Sequence, residues 1–196
     1  MKIQIPDYIQ VLIDLLNQNG YSAYVVGGAI RNALLELPIH DYDLTTDATP
    51  QEMLQVFSNY RVFQTGIQHG TITVLSNKQP VEITTFRSES IYEDHRHPSG
   101  VLFSKSIEED CKRRDFTINA LCYNNNEGLI DFFGGVDDLH HKIIRCIGNP
   151  HERIDEDALR ILRALRFAGR LSFTIEEKTA NAIHKQKDLL HYISEE

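Results

Sequence analysis

A mixed α/β (α+β) fold, with a small mixed sheet, its helices and then a helical region, is predicted by three stretches of this sequence. Tyr24 to Val26 is a short apolar run of the kind a buried strand makes. Gly27 and Gly28 follow as a turn, and AIRNALLEL (29–37) then has helical spacing. GTITVLSN (70–77) and PVEITTF (80–86) are β-branched runs around a polar turn, which predicts a hairpin. Beyond Gly148 the apolar residues repeat only at helical spacing.

Taken in order, Ile9 to Leu16 has the spacing of a first helix, and Gly20 stops it before the Tyr24 strand. The glycine turn at a helix start makes an anion site, because free backbone N–H groups and the positive end of the helix dipole point at one spot. In His40-Asp41-Tyr42-Asp43-Leu44, read as a strand, Asp41 and Asp43 face the same side. Two such charges at about 4 Å repel by about 4 kcal/mol at an effective dielectric near 20. A divalent cation offsets this, and hard oxygen ligands favour Mg²⁺. Separately, the two features read as an ordinary turn and a solvated strand edge. Together, in this order and spacing, they point to nucleotide chemistry.

Thr49-Pro50-Gln51-Glu52 has the form of a capping box, so a helix is expected from about Pro50 to Phe57. Glu82, in the second hairpin strand, is either a third carboxylate facing Asp41 and Asp43 or a solvent-side residue of an alternating strand. From Arg87 to Ser104 periodicity vanishes and a surface loop is expected; its His95 and His97 lack the Cys or His partner pair of a metal site. Ser106 is placed to cap a short helix with Glu109 as box partner, and Phe116 to Tyr123 reads as a strand. Arg113 and Arg114 are either a solvated basic pair or, beside a triphosphate, a guanidinium clamp. Leu129 to Asp131 continues the β region and Phe133-Gly134-Gly135 breaks it. A boundary near Gly148 divides the chain into residues 1–147 and a helical part, 148–196.

Asp155 to Arg170 reads as one strong helix. With Arg160 at zero and about 100° per residue, Arg163, Arg166 and Arg170 fall at about 300°, 240° and 280°, and Asp157 near 60°. By itself the stripe is as consistent with a solvated basic face carrying an Asp157–Arg160 salt bridge as with a functional surface. Arg170 reads as surface. A further helix is expected from about Glu176 to His191.

Composition excludes several classes. The chain has 196 residues, enough for one well-cored domain plus an appendage, and 41% hydrophobic and 24% charged residues are ordinary for a soluble globular protein. No apolar run approaches the roughly 18 residues of a transmembrane helix, so no membrane partner is expected, and the N-terminus does not read as a signal peptide. Three cysteines without a CxxC pair argue against a disulfide framework or zinc site and fit a reducing cytoplasm. A net charge of -8 confines any RNA binding to a local basic face or to regions outside this chain.

The stretch YVVGGAIRNALLELPIHDYDLTT, with PVEITTFR, RRDFTINAL, DFFGGVDDL and Glu156-Asp157-Ala158-Leu159-Arg160, resembles the class II tRNA nucleotidyltransferases (CCA-adding enzymes) and bacterial poly(A) polymerases of the polymerase-β-like superfamily. The resemblance spans nearly all of this chain but only the amino-terminal part of a full family member, which implies a truncated or a naturally short form. It implies a nucleotidyltransferase head at 1–147 and part of a helical neck at 148–196. It also implies template-independent addition of C and A to the 3′ end of tRNA from CTP and ATP. Asp41, Asp43 and Glu82 become metal and catalytic residues for Mg²⁺, and Gly27, Gly28 and Arg31 a phosphate cradle. Arg114, Asp115 and Asn119 are implied to contact the sugar and phosphates, Asp157 and Arg160 to offer a protein template to cytosine and adenine, and Arg163 and Arg166 to help hold the nucleotide. The 87–104 segment corresponds to a mobile loop, and DFFGGVDDL to the join between head and neck, with Asp131 and its glycines serving hinge and packing. The family pattern usually has Asp where this chain has Asn32, and commonly Gly where it has Glu36, so a weakened site-ordering salt bridge and reduced activity are expected. Poly(A), CC-only and A-only addition share these motifs. A catalytically inactive nucleotide- or RNA-binding remnant is the alternative from another class.

Overall fold

The structure is a computed structural model describing residues 2–88 and 101–193. The expected loop residues His95 and His97 lie outside the described residues. The first part of the chain runs α1 (Asp7–Gln18), β1 (Ala23–Val26), α2 (Gly28–Leu34), β2 (Asp43–Thr46), α3 (Pro50–Val56), β3 (Arg61–Phe63), β4 (Thr71–Ser76) and β5 (Gln79–Thr85). It continues with α4 (Ile107–Lys112), β6 (Cys122–Asn124), β7 (Gly128–Ile130), α5 (Gly135–His141), β8 (Ile143–Ile144), α6 (Pro150–Glu156), α7 (Leu159–Leu171), β9 (Thr174–Ile175) and α8 (Glu177–Gln186). Seven strands form one sheet in the order β3-β4-β5-β2-β1-β6-β7, and β8 and β9 pair separately in parallel.

The sheet is mixed, as expected. Its pairings are antiparallel except that β2 runs parallel to β5, with Asp43 opposite Glu82. The two strands are joined through α3 and β3–β4, a crossover of the length a parallel pair requires. The predicted hairpin forms β4 and β5, and Asn77 and Lys78 both take positive φ, as a two-residue turn of this hand needs.

One face of the sheet carries the main core. Ile9, Leu12, Ile13 and Leu16 bury one stripe of α1 against Leu44, Ile72, Val74 and Ile83, each buried. The alternation of the strands sends Tyr24 and Val26 to the opposite face, where they pack with Phe86, Cys111, Cys122 and Ile147 beneath α4. Asp43 and Glu82 reach the solvent side of their strands between these layers, although the cavity walls partly shield the Asp43 carboxyl from water. The capping box forms as predicted: the Thr49 hydroxyl accepts from the Glu52 N–H while the Glu52 carboxylate accepts from the Thr49 N–H at 2.7 Å.

Five expectations are corrected. The strand expected over Phe116 to Tyr123 is confined to Cys122–Asn124; Thr117–Asn119 is a 3-10 turn. Asp115 closes that turn by accepting from the Phe116 N–H at 2.7 Å and from Asn119 Nδ2 at 3.0 Å, a local bond that outcompetes the ladder. Ser106 caps α4 as predicted, but Glu109 does not complete the box; its carboxylate accepts from the Ser104 hydroxyl. The region after Gly148 is not purely helical, since β9 pairs with β8. The helix expected from Asp155 to Arg170 is broken: Asp157 is extended, at φ -145° and ψ 99°, and α6 and α7 meet there. The Asp157 carboxylate accepts from the Leu159 N–H at 3.0 Å, so the side chain restarts a helix rather than riding within one. The final predicted helix divides into α8 and a 3-10 segment, Lys187–Tyr192.

Asp131 has the packing role the resemblance implied. Its carboxylate accepts from the N–H groups of Phe133, Gly135 and Val136 and so starts α5. Gly135 has no room for a side chain, because a Cβ there would sit 2.3 Å from the Thr117 carbonyl oxygen. α7 joins the main core through Ala164 and Phe167, and Phe167 meets Phe116 edge-on at 5.9 Å.

Candidate active site

A cavity of about 440 Å³ opens between the glycine turn, the end of β2, the 113–119 segment and α7. Gly27, Gly28, Arg31 and Asp43 line it on one side. Arg113, Arg114, Asp115 and Asn119 line another, and Asp157, Arg160, Arg163 and Phe167 the third. A neighbouring cavity of about 200 Å³ shares Asp43, Arg113 and Arg114 and adds Glu82 and Thr84. The fold thus gathers residues that the sequence spreads over 140 positions. Asp41 and Arg166 do not line either cavity.

The acidic wall starts at Asp43, the first residue of β2. Burial and then the neighbouring Glu82 push its carboxyl above the ordinary value; Arg114 pulls the other way and Asp41 adds to the rise. Asp41 precedes the strand, exposed, rather than standing two residues along it. Among the described residues, no three Asp, Glu, His or Cys side chains converge into a ready-made metal cage. Even so, Glu82 and Asp41 both act on the Asp43 carboxyl with Arg114 opposing them, and an all-oxygen anionic donor set of this kind fits a hard divalent cation.

The opposite wall depends on a residue that the sequence reading passed over. Asp110 is fully buried, and its two oxygens accept from Arg113 Nε and Nη2 at 2.9 and 2.7 Å, Arg114 Nη2 at 2.9 Å, the Arg87 N–H at 3.1 Å and Thr45 Oγ1 at 3.3 Å. Although burial alone would raise its pKa, the Arg114 and Arg113 guanidiniums hold it down at about 2. Its spacing of three and four residues from two arginines in a short helix was the available signal. Arg114 is aimed by this bond toward the glycine turn, where a Cβ on Gly27, at φ +67°, would lie 3.5 Å from Arg114 Nη1. The Arg114 Nε is buried without a hydrogen-bond partner among the described residues.

A second network crosses the cavity floor. Arg31 Nη1 donates to Asn119 Oδ1 at 2.6 Å, Asn119 Nδ2 donates to Asp115 Oδ1, and Asp115 Oδ2 accepts from Arg163 Nε at 2.7 Å and Nη2 at 2.6 Å. Phe167, also missed from sequence, carries the guanidiniums of Arg31, Arg163 and Arg166 at 5.0, 5.5 and 5.4 Å from its ring centre. With Asn32 the contact to Arg31 is a neutral hydrogen bond rather than an ion pair. Its Oδ1 accepts from Arg31 Nε at 3.1 Å and Nη2 at 2.9 Å, while its Nδ2 donates to the Pro38 carbonyl at 2.9 Å.

The α7 arginines are not equivalent. Arg160 is buried and gives its protons to the Arg153 carbonyl at 2.7 Å, Glu156 Oε2 at 2.8 Å and the Arg113 carbonyl at 3.1 Å. The supposed Asp157–Arg160 salt bridge is replaced by one to Glu156. Arg163 is half-buried, and Arg166 and Arg170 are exposed. Arg170, set aside as surface, stands close enough to Arg31 to be the largest charge influence on it.

This combination of a mixed sheet, an acidic strand end and a facing arginine wall is the architecture of a nucleotidyltransferase head. A family model described as the Poly A polymerase head domain matches residues 23–145, and the chain belongs to that family. It is 52% identical over 181 residues to a CCA-adding enzyme of Enterococcus faecalis, covering 92% of this chain and 44% of the relative. It is 49% identical over 183 residues to that of Ligilactobacillus salivarius, covering 93% and 45%. Among solved structures, the Bacillus stearothermophilus CCA-adding enzyme in complex with CTP superimposes with a TM-score of 0.87 at 39% identity, covering 97% of this chain and 46% of that one. A tRNA nucleotidyltransferase complexed with a primer tRNA and an incoming ATP analog gives a TM-score of 0.73 at 33% identity, covering 91% and 50%. The chain therefore spans a little under half the length of the curated relatives it matches.

Proposed function

We propose that this chain is the catalytic part of a template-independent nucleotidyltransferase that adds C and A to the 3′ end of tRNA from CTP and ATP. The observation that carries the reading is the single cavity in which Asp43 faces the glycine turn, the Arg114 clamp and the Asp157–Arg160 pair. Residues 1–147 would be the nucleotidyltransferase head and 148–196 the start of the neck. A cytoplasmic setting fits the three free thiols.

In this reading Asp41, Asp43 and Glu82 would hold Mg²⁺, which would neutralise charge at the triphosphate and acidify the attacking 3′ hydroxyl. Gly27, Gly28 and Arg31 hold the phosphates. Arg114, Asp115 and Asn119 orient the sugar and phosphates, and Arg163 and Arg166 steady the nucleotide. Asp157 accepts from the exocyclic amine of cytosine or adenine while Arg160 donates to a ring or carbonyl acceptor, which selects against U and G. In-line attack at the α-phosphorus joins the RNA oxygen and releases pyrophosphate.

The test is extension of a tRNA lacking its CCA end with each nucleotide separately and then with CTP plus ATP. Products of one to three nucleotides that vanish in Asp41→Ala support the reading. Long runs from ATP alone would instead mark a poly(A) polymerase, an outcome the matched family leaves open. Nucleotide binding without any product overturns catalysis by this chain.

A further inference from the structure

Arg31 is a buried cation, 6% exposed, whose contacts are all neutral. Its guanidinium donates to the amide oxygens of Asn32 and Asn119, and its face lies over Phe167; among the described residues it makes no ion pair. The nearest acid in the network, Asp115, is one residue removed, and its free oxygen is already taken by Arg163. The surrounding charges are of the same sign: Arg163 and Arg166 share the Phe167 ring. Three of the five guanidinium protons are used by the two asparagines, leaving one on each Nη. A buried charge without a counter-ion is unfavourable, and a ligand that brings the charge relieves it.

We infer that Asn32 is a specificity-determining residue of the phosphate subsite: it fixes the Arg31 guanidinium while leaving its charge uncancelled, so that the site selects a polyphosphate group. This rests on the nucleotidyltransferase reading above and deepens it. A carboxylate at position 32 would offer the same acceptor geometry but neutralise the cation, and the polyphosphate would then compete with it. Asn32 also ties down Pro38, a bond that only the carboxamide can donate. In this chain the side chain therefore separates two tasks, holding the arginine and sparing its charge. The expected functional sign is a firmer grip on triphosphate and on the pyrophosphate product.

Titration of the whole chain with inorganic pyrophosphate, without divalent cation, reads this directly. Asn32→Asp should weaken pyrophosphate about tenfold, a modest demand given the energy of two unit charges at contact distance. Asn32→Ala removes the Pro38 tie and both Arg31 acceptors but adds no charge, so its loss should be at least about threefold smaller than that of Asn32→Asp. Thermal unfolding of each variant confirms a folded state. Equal losses in both variants would assign the effect to lost hydrogen bonds rather than to charge and overturn the inference, as would an Asn32→Asp chain that binds like the parent. A parent chain that binds no pyrophosphate would overturn the underlying reading of the cleft, an outcome distinguishable from the other two.

Discussion

Asp43 and Glu82 are register partners across the parallel pairing of β2 and β5. Like charges directly opposite one another in a sheet are destabilising, and here burial and Glu82 raise the Asp43 carboxyl. The proposed metal role, rather than stability, would account for two acids at this position. Glu82→Gln should accordingly raise the unfolding midpoint by about 2–4 °C in EDTA, the shift expected for about 1 kcal/mol in a chain of this size. Its nucleotide addition should fall at least tenfold. The comparison is made by calorimetry with and without Mg²⁺; a lower midpoint in EDTA would contradict the repulsion.

Asp110 predicts the acid sensitivity of the fold. Its folded pKa, about 2, lies below the ordinary 3.8, so the stabilisation is present above pH 4 and is lost as pH falls through about 4 toward 2. Asp110→Ala removes the partner of two arginines and should cost about 3–5 kcal/mol. Urea unfolding from pH 7 to pH 3 measures both, and the variant should show a shallower acid loss than the parent.

Arg160 and Asp157 should separate. Asp157→Ala is expected to relax selection against UTP and GTP at a stability cost of about 1 kcal/mol, from the lost bond to the Leu159 N–H at the start of α7. Arg160→Ala should cost about 3 kcal/mol as well as selectivity, because it leaves buried acceptors on Arg153, Glu156 and Arg113. Nucleotide competition assays and denaturant midpoints on the same samples check this, and unchanged base preference in Asp157→Ala sinks the template role.

Gly135→Ala should destabilise by about 1–3 kcal/mol, since the added methyl meets the Thr117 carbonyl and must displace the turn that carries Asn119. The Michaelis constant for nucleotide should rise with it. A variant as stable as the parent would mean that α5 shifts without cost.

Much of this was legible in the chain. The α1 stripe, the Thr49 capping box, the hairpin and the glycine turn were readable because each rests on contacts within a few residues. The site residues were legible as motifs, and most of them converge: Gly27, Asp43, Arg114 and Asp157 line one cavity. The errors fall where a side chain overrides a periodic pattern. RRDFTINAL alternates well enough for a strand, yet Asp115 folds back on Phe116 and Asn119. DEDALRILRALR repeats well enough for one helix, yet Asp157 breaks and restarts it.

Local pattern alone was enough to mark most helices and strands, to suggest where phosphate and metal would be held, and to point to the family. The pairing of the charges emerged only with the fold. Arg160 takes Glu156 rather than Asp157, Asp110 serves Arg113 and Arg114 at once, and Arg31 is held by two neutral amides. The reason is physical. Secondary structure follows from near neighbours along the chain, whereas a charge takes its partner from whatever burial brings within hydrogen-bonding distance, and at this site those partners come from segments as far apart as residues 31 and 163.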